Sequence, residues 1–264
     1  WRGCEKRMIS PECEAVRFNG SDVFLFRTGD PALHGSADQT RQEFEALKHF
    51  LAEHDSSVEA NTVRTWLYCR DVDNNYAGLV RARNEFFAGN GLTAATHFIA
   101  STGIEAQHES PSRLVAMESL SWAGLRSGQQ LYLKAEHMLS PTALYGVSFE
   151  RGTRLLLHDR SHYYISGTAS IDSRGQVVHP GDVRKQTVRM IENIAALLES
   201  SAGSLSDLRW ATVYLRDPAD ASAVRAILEE HFPAGLPYVI LRAPVCRPAW
   251  LVETECIAVN PTGL

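Results

Sequence analysis

The chain has 264 residues, of which 44% are hydrophobic and 22% are charged. This mix is typical of a soluble globular protein and excludes wholesale disorder, and the length suits two ordinary domains. The formal net charge of −5 argues against a nucleic-acid partner, because phosphate binding needs a basic face. No stretch approaches the roughly 18 consecutive apolar residues of a membrane helix, so no membrane partner is expected.

The cysteines and histidines predict neither disulfides nor a metal site. Five cysteines form an odd set without a CxxC pair: Cys4, Cys13, Cys69, Cys246 and Cys256. Such usage is typical of reduced thiols, and we expect a cytoplasmic location. His158 and His162 are four residues apart, but they lie in a predicted hairpin turn without a third ligand. The absence of GxGxxG, GxSxG and P-loop motifs predicts a cofactor-free protein.

In the first half of the chain, a predicted β-hairpin is followed by helices and strands in alternation. Apolar residues at helical spacing predict a helix over 39–53. A run of β-branched and aromatic residues then predicts a strand that ends at Asp71, and a second amphipathic helix covers 76–87. Two closing strands are predicted over 96–106 and 113–123.

The second half repeats this order. It has predicted helices over 186–199 and 221–232, and the strand between them ends at Asp217. Its closing strands are predicted over 237–247 and 250–259. Three residue pairs share one offset between the halves: Tyr68 and Tyr214, Arg70 and Arg216, and Asp71 and Asp217.

The repeat predicts an internal duplication into two domains. Strands that are joined through helices pack as one sheet with the helices on a single face, so each half is expected to be an α+β layer. The linker is expected around 140–146, where SPTALYG interrupts the strand pattern. We therefore predict an N-terminal domain over 1–143 and a C-terminal domain over 144–264 that carries most of the site.

The string from Tyr163 to Asp220 resembles the RidA/YjgF (Rid) superfamily, formerly labelled endoribonuclease L-PSP. This resemblance implies that each half has a chorismate-mutase-like fold, a mixed sheet covered by two helices. It also implies sites in clefts between domains and assembly into a homotrimer. A fused pair of such domains could instead build a more self-contained unit.

Three strings resemble the chorismatase branch of this superfamily, whose members hydrolyse chorismate. They are TVRTWLY over 62–68, SGTASI over 166–171 and APVCRPAWLVETE over 243–255. The resemblance implies a small carboxylated substrate, such as chorismate or a related enolpyruvyl compound, and release of pyruvate. Two departures put the exact substrate in doubt: Leu67 replaces an asparagine, and 82–90 lacks the arginine of the family's FNxGR stretch.

Two other functions are left as alternatives. Imine-deaminating Rid proteins carry an arginine two residues after a proline at the start of the first closing strand. Here this place is Pro237-Tyr238-Val239, which disfavours enamine or imine deamination by the usual site. A non-catalytic binder of a small carboxylated metabolite is the second alternative. RNA cleavage, which the older family label suggests, conflicts with the acidic net charge.

Glu253 is the predicted catalytic residue. It shares one face of a predicted strand with Glu255, and a carboxyl in a partly desolvated pocket can act as a general acid near neutral pH. By the chorismatase resemblance it would protonate the methylene carbon of an enolpyruvyl ether. The alternative is an edge strand with solvated carboxylates. The repeat aligns Ala116 with Glu253 and Glu118 with Glu255, which predicts one catalytic site per chain and a structural role for Glu255.

Five residues are candidates for contacts with the substrate. Arg151 and Arg247 could clamp carboxylates in bidentate fashion, although a surface ion pair is the structural alternative. Gly167, Thr168 and Ala169 form a predicted turn in which the backbone could approach a ligand. The structural alternative for this turn is a bulge without a binding role.

Two further residues complete the candidate site. By the chorismatase resemblance, a cysteine at the place of Cys246 belongs to members that form hydroxybenzoate, and a small buried hydrophobic residue is the alternative. Tyr163 and Tyr164 alternate along a strand, so one faces the core and the other the cleft. Tyr163 is included among the substrate-binding candidates, although alternation by itself does not decide between the two.

Overall fold

The protein is described by a computed structural model over residues 4–18, 20–28 and 34–263. The first half contains β1 (Glu5–Ser10), β2 (Cys13–Phe18), β3 (Ser21–Thr28), α1 (Ser36–Ala52), α2 (Val58–Asn61), β4 (Thr62–Cys69), α3 (Val72–Gly89), β5 (Ala100–Glu105) and β6 (Val115–Trp122). The second half contains β7 (Gln130–Tyr132), β8 (Gly152–Leu156), β9 (Ser161–Ala169), α4 (Val183–Glu199), β10 (Leu208–Leu215), α5 (Ala221–His231), β11 (Tyr238–Arg242) and β12 (Val252–Asn260). Three strands, rather than the predicted hairpin, precede the first long helix of each half.

The long helices form where the apolar spacing predicts them. Phe44, Leu47 and Leu51 are buried on α1, and the corresponding apolar face of α4 is also buried. The N-terminus of α4 is capped by Asp182, whose side chain accepts a hydrogen bond of 3.0 Å from the Lys185 N–H. Each helix therefore presents an apolar face to its own sheet.

Both sheets have the same topology. The first has the strand order β1-β2-β3-β6-β4-β5, and the second, read from its opposite edge, has the order β7-β8-β9-β12-β10-β11. The pairs β4–β5 and β10–β11 are parallel, and the other neighbours are antiparallel. Tyr68 lies opposite Ala116 in one sheet and Tyr214 lies opposite Glu253 in the other, which is the alignment that the repeat predicts. The fold is α+β, with two tandem domains that each carry their two long helices on one face of a mixed sheet.

The two domains contact each other through the sheet faces that the helices leave open. A small core joins residues of both sheets: Val23, Val63, Trp122, Leu155, Leu157 and Tyr164. Next to it, β5 lies beside the second sheet, where the Ser101 N–H donates to Ser166 Oγ at 2.9 Å and the Glu150 N–H donates to the Ile99 carbonyl at 3.1 Å. This contact brings β5 and α3 of the first domain against β9 and β12 of the second. Among the described residues, no helix has both the length and the apolar character to cross a bilayer.

The position of β7 indicates a domain boundary earlier in the chain than the one predicted from the sequence. Gln130 on β7 lies opposite Leu155 on β8, so β7 is part of the second sheet. The boundary predicted between residues 143 and 144 would separate these two paired strands. We therefore propose 123–129 as the link between the domains. A strand of three residues is too short for a period-2 pattern to be recognised, which explains why the sequence did not indicate β7.

Candidate active site

A cavity of about 570 Å³ lies between the two domains. The first domain contributes parts of α3 and β5, and the second contributes the segment 145–151, β9 and β12 with the loop before it. This volume suits a small ligand. Six of the sequence-predicted residues line the cavity: Glu253, Arg151, Gly167, Ala169, Cys246 and Arg247.

Glu253 lines the cavity from β12, an inner strand between β9 and β10. The alternative of an edge strand with solvated carboxylates is therefore wrong, and Glu253 is only 5% exposed. Burial, and then the nearby Glu255, raise the pKa of Glu253 to about 8, while Arg151 and Arg64 oppose this rise. A carboxyl with this pKa is protonated at neutral pH and can donate a proton.

The raised pKa of Glu253 predicts that the carboxyl makes folding depend on pH. The pKa is 4.5 for the ordinary group and about 8 in the folded chain, so its contribution to stability is fully present below pH 4.5 and is lost as the pH rises through 8. Glu253→Gln stays neutral and is expected to have a higher Tm than the wild type at pH 8, with little difference at pH 4.5. Thermal unfolding of both proteins at both pH values tests this. A lower Tm for the variant at pH 8 would contradict it.

Gly167 lies directly beside the Glu253 carboxyl. A Cβ added at Gly167 would overlap Oε1 of Glu253, so a larger residue would displace the carboxyl. The Gly167 N–H donates a 3.0 Å hydrogen bond to Thr102 Oγ1 of the first domain. Pairing between β9 and β12 is irregular between Thr254 and Cys256, so the bulge and the close approach to the carboxyl occur at the same place.

Glu255 faces the first domain and is held by two of its side chains. Arg64 Nη2 lies 2.7 Å from Glu255 Oε2, and Trp66 Nε1 donates a 3.0 Å hydrogen bond to Oε1. Arg64 is only 2% exposed, so this ion pair is shielded from solvent. These contacts fix the Glu255 carboxylate in place, and Glu255 does not itself line the cavity.

Arg151 and Arg247 both lie against the ring of Tyr145, with guanidinium carbons 5.5 and 4.5 Å from its centroid. Arg151 Nη2 donates to the Ser140 carbonyl at 2.9 Å, and Arg247 Nη1 donates to the Gly175 carbonyl at 3.2 Å. A guanidinium has five N–H donors, so these carbonyls use only part of their capacity. Within the described part of the chain neither arginine pairs with a carboxylate, so neither forms the surface ion pair that was the structural alternative.

Arg83 is a cavity residue that sequence reasoning missed. It belongs to α3, is 1% exposed and lines the cavity. Among the described residues, its Nε and Nη2 atoms have no hydrogen-bond partner, although both are buried. A buried guanidinium with unsatisfied donors is costly unless a ligand completes its hydrogen bonds. Arg83 thus places a buried guanidinium with two unpaired donors at the cavity wall.

The departures from the chorismatase pattern differ in their distance from this cavity. Leu67 is fully buried in the core between the first sheet and its helices, and it does not line the cavity. The stretch 82–90 does reach the cavity, and it contributes Arg83. This helix therefore carries an arginine at the cavity, although residues 82–90 do not match the FNxGR pattern.

The second domain carries the sequence signature of a known family. The family described as Endoribonuclease L-PSP matches residues 156–260. The 3-aminoacrylate deaminase RutC of Acinetobacter baylyi (strain ATCC 33305 / BD413 / ADP1) is 33% identical over 96 residues, which covers 36% of this chain and 76% of that protein. The chain belongs to the RidA/YjgF superfamily.

The arrangement of two RidA-like domains in one chain also has a known counterpart. A chorismatase crystal structure at 1.08 Å resolution superposes with a TM-score of 0.78 and 22% sequence identity. The superposition covers 96% of this chain and 79% of the chorismatase chain. This RidA/YjgF protein therefore has the two-domain fold of a chorismatase.

Cys246 and Tyr76 face each other across the domain contact in this RidA/YjgF protein. The Cys246 thiol and the Tyr76 hydroxyl lie close enough to affect each other's pKa, and both residues line the cavity. Burial, and then the charge of Glu253, raise the pKa of Cys246 to about 12. A thiol with this pKa is neutral and a poor nucleophile, which argues against covalent catalysis by Cys246.

Tyr163 and Thr168 do not reach the cavity of this RidA/YjgF protein. The Tyr163 hydroxyl donates to the Ser201 carbonyl at 2.8 Å on the helix side of the sheet, and Thr168 Oγ1 donates to the Ser166 carbonyl at 2.9 Å. The substrate-binding role predicted for both residues is therefore unsupported. Tyr164 packs in the core between the sheets, so neither tyrosine of this pair faces the cleft.

The first RidA-like domain has no acid that corresponds to Glu253. Ala116 occupies the matching register position, as the repeat predicts. Glu118, which matches Glu255, pairs with Arg27 at 2.8 Å within its own domain. The first domain therefore contributes a wall to the cavity and partners for Glu255.

Proposed function

We propose that this chain releases pyruvate from chorismate or a related enolpyruvyl compound, with Glu253 as the acid that protonates the enol ether. The observation that supports this most is the buried Glu253 carboxyl, with a pKa of about 8, in a cavity that also carries Arg83, Arg151 and Arg247. The reaction needs a proton donor at neutral pH and cations for the substrate carboxylates. The other carboxyl that lines the cavity, Glu85, is exposed to solvent.

The proposed reaction begins with transfer of the Glu253 proton to the methylene carbon, whose π-electron pair forms the new C–H bond. The ether-bearing carbon becomes an oxocarbenium ion, and Glu253 becomes a carboxylate. Water or a ring hydroxyl adds to this carbon and returns a proton to Glu253. When water adds, the hemiketal breaks its bond to the ring oxygen, which takes up the proton of the new hydroxyl as pyruvate forms and leaves. One water molecule is consumed for each pyruvate released by this route. When a ring hydroxyl adds, the cyclic ketal releases pyruvate with the oxygen of that hydroxyl, whose bond to the ring breaks. The ether oxygen then stays on the ring and takes up the proton that the ring carbon loses as the ring becomes a hydroxybenzoate.

Enamine or imine deamination is the second candidate, because a RutC deaminase is a relative of the second domain. The family resemblance ties this chemistry to an arginine at the place of Val239 on β11. Val239 lies opposite Thr212, and the matching pair in the first sheet is Thr102 and Trp66. Both repeats therefore lack the arginine, which favours pyruvate release over deamination.

A direct assay tests the proposal against the alternatives. The purified protein is incubated with chorismate, pyruvate is measured, and the ring product is identified by mass. Pyruvate release by the wild type and its loss in Glu253→Gln would support the proposal, and the product mass separates water attack from ring-hydroxyl attack. Thermal stabilisation by chorismate without pyruvate would indicate a binder, and ammonia release from an enamine substrate would indicate a deaminase.

Gly167→Ala is expected to lower kcat for pyruvate release by about 10²-fold, because the added Cβ displaces the Glu253 carboxyl. Gly89→Ala is the matched control, since an added Cβ at the end of α3 meets open space. Steady-state kinetics of both variants check this prediction. Equal activity of the two variants would show that the carboxyl position tolerates the Cβ.

The homotrimer implied by the family resemblance is not expected to be needed for the proposed reaction. Both walls of the cavity come from one chain, so we expect pyruvate release per chain to be independent of association. Light scattering measures the oligomeric state, and activity measured over a dilution series tests the independence.

A further inference from the structure

The contact between the domains holds more than the cavity wall. Arg64 on β4 contacts Glu255 at 2.7 Å, and it also hydrogen-bonds Thr102 Oγ1 on β5. Thr102 Oγ1 in turn accepts the hydrogen bond from the Gly167 N–H, and Gly167 is in contact with the Glu253 carboxyl. One buried arginine of the first domain therefore reaches the acid of the second domain by two routes.

The repeat shows that this arrangement is specific to the second domain. Glu118 has the register position of Glu255, but its partner Arg27 belongs to the same domain and Ala116 stands in the place of the acid. Glu255 is bound by side chains of the other domain and is two residues from Glu253 on the same strand face. The cross-domain contact with Arg64 and Trp66 therefore occurs in the repeat that carries the proposed acid.

We propose that Glu255 is a positioning residue whose charge, held in place by Arg64 and Trp66, keeps the Glu253 carboxyl in its proton-donating form. This inference rests on the proposed function. A fixed negative charge nearby opposes the ionisation of a second carboxyl. The first domain would then set the protonation of the acid in addition to closing the cavity.

Other groups face the carboxylate pair from every element packed against it. They are Arg64 and Tyr68 on β4, Tyr214 on β10, Arg151 before β8, Tyr76 and Arg83 on α3, Cys246 and Arg247 in the loop before β12, and Cys256 on β12 itself. Burial raises the pKa of each of these tyrosines and cysteines, so they stay neutral near neutral pH. The arginines stay charged. Near neutral pH we therefore expect Glu253 to titrate, whereas these tyrosines and cysteines do not.

Glu255→Gln is expected to shift the alkaline limb of the pH–rate profile for pyruvate release to lower pH. The substitution removes a negative charge and leaves Arg64 positive, and both changes favour ionisation of Glu253. After a shift of one pH unit, the rate of the variant at pH 8 would be about tenfold below its acid plateau, whereas the wild-type rate at this pH is about twofold below the plateau. A purely structural role for Glu255 would lower Tm or kcat without moving the limb.

Glu118→Gln is the matched control, because Glu118 has the same register position without an acid beside it. Its pH–rate profile is expected to coincide with that of the wild type. A second variant guards against misfolding: Arg64→Met with Glu255→Gln leaves no unpaired buried charge. This double variant is expected to shift the limb in the same direction but by less, because Arg64 no longer lowers the pKa of Glu253.

Infrared titration of the Glu253 carboxyl separates this inference from the proposed function. The protonated carboxyl band that is absent in Glu253→Gln is followed with pH in the wild type, Glu255→Gln and Glu118→Gln. A lower midpoint in Glu255→Gln alone supports the positioning role, even when no variant releases pyruvate, in which case only the proposed function fails. An unchanged midpoint in Glu255→Gln, or an equal shift in Glu118→Gln, overturns the inference.

Discussion

Glu253→Gln is expected to reduce the rate of pyruvate release from chorismate by about 10²- to 10⁴-fold, the range that general acid catalysis contributes. The amide is nearly isosteric with the carboxyl but has no proton to transfer to the methylene carbon. Substrate affinity is expected to change little, because the carboxylates of the substrate are assigned to the arginines. Steady-state kinetics and a binding titration with chorismate measure the two effects separately.

Glu43→Gln is the matched control for this substitution. Glu43 is also a fully buried glutamate whose pKa burial raises well above its usual value, but it belongs to α1 and does not line the cavity. Its amide variant is expected to keep wild-type turnover. If Glu253→Gln kept near-normal activity, or if both variants lost it equally, Glu253 would not be the acid.

Arg83→Met is expected to raise KM for chorismate by about 10- to 100-fold, since a hydrogen bond to a charged group contributes about 1.5–3 kcal/mol. The variant is also expected to unfold at the same temperature as the wild type or higher, because two buried donors of Arg83 lack partners. A gain in stability with a loss of affinity is the mark of a residue kept for a ligand. Kinetics and thermal unfolding of the same preparation check both effects.

Arg225→Met on α5 serves as the control for the removal of a helix arginine. Arg225 is exposed, lies near Tyr238 and does not line the cavity. We expect its KM to match that of the wild type. A loss of Tm in Arg83→Met with an unchanged KM would assign Arg83 to the fold and would remove it from the proposed site.

The repeat itself contained a signal for Arg83. Aligning α3 with α5 places Leu79 opposite Val224 and Arg83 opposite Leu228, and both residues of α5 are fully buried. Burying an arginine at the position of a core leucine costs free energy of folding, so such a residue suggests a role outside the core, such as contact with a ligand. The sequence therefore contained evidence for Arg83, although it did not reveal which cavity the guanidinium would enter.

Local pattern in the sequence determined the duplication, the long helices, the α+β layers and the shared face of Glu253 and Glu255, whereas the mixed order of the sheets was implied by the family resemblance. Helical and strand periodicities depend on neighbours a few residues apart, and two copies of one pattern support each other. The alignment of Ala116 with Glu253 was predictable for the same reason, because equal spacing in both halves produces equal register.

Only the tertiary structure decided which groups meet between the domains. The pairing of Arg64 with Glu255, the entry of Arg83 into the cavity and the contact of Gly167 with Glu253 depend on how the two sheets face each other. Alternation also did not decide the side of Tyr163, because both Tyr163 and Tyr164 are buried in cores away from the cleft. Periodicity describes one element at a time, whereas packing between domains selects the partners of each face.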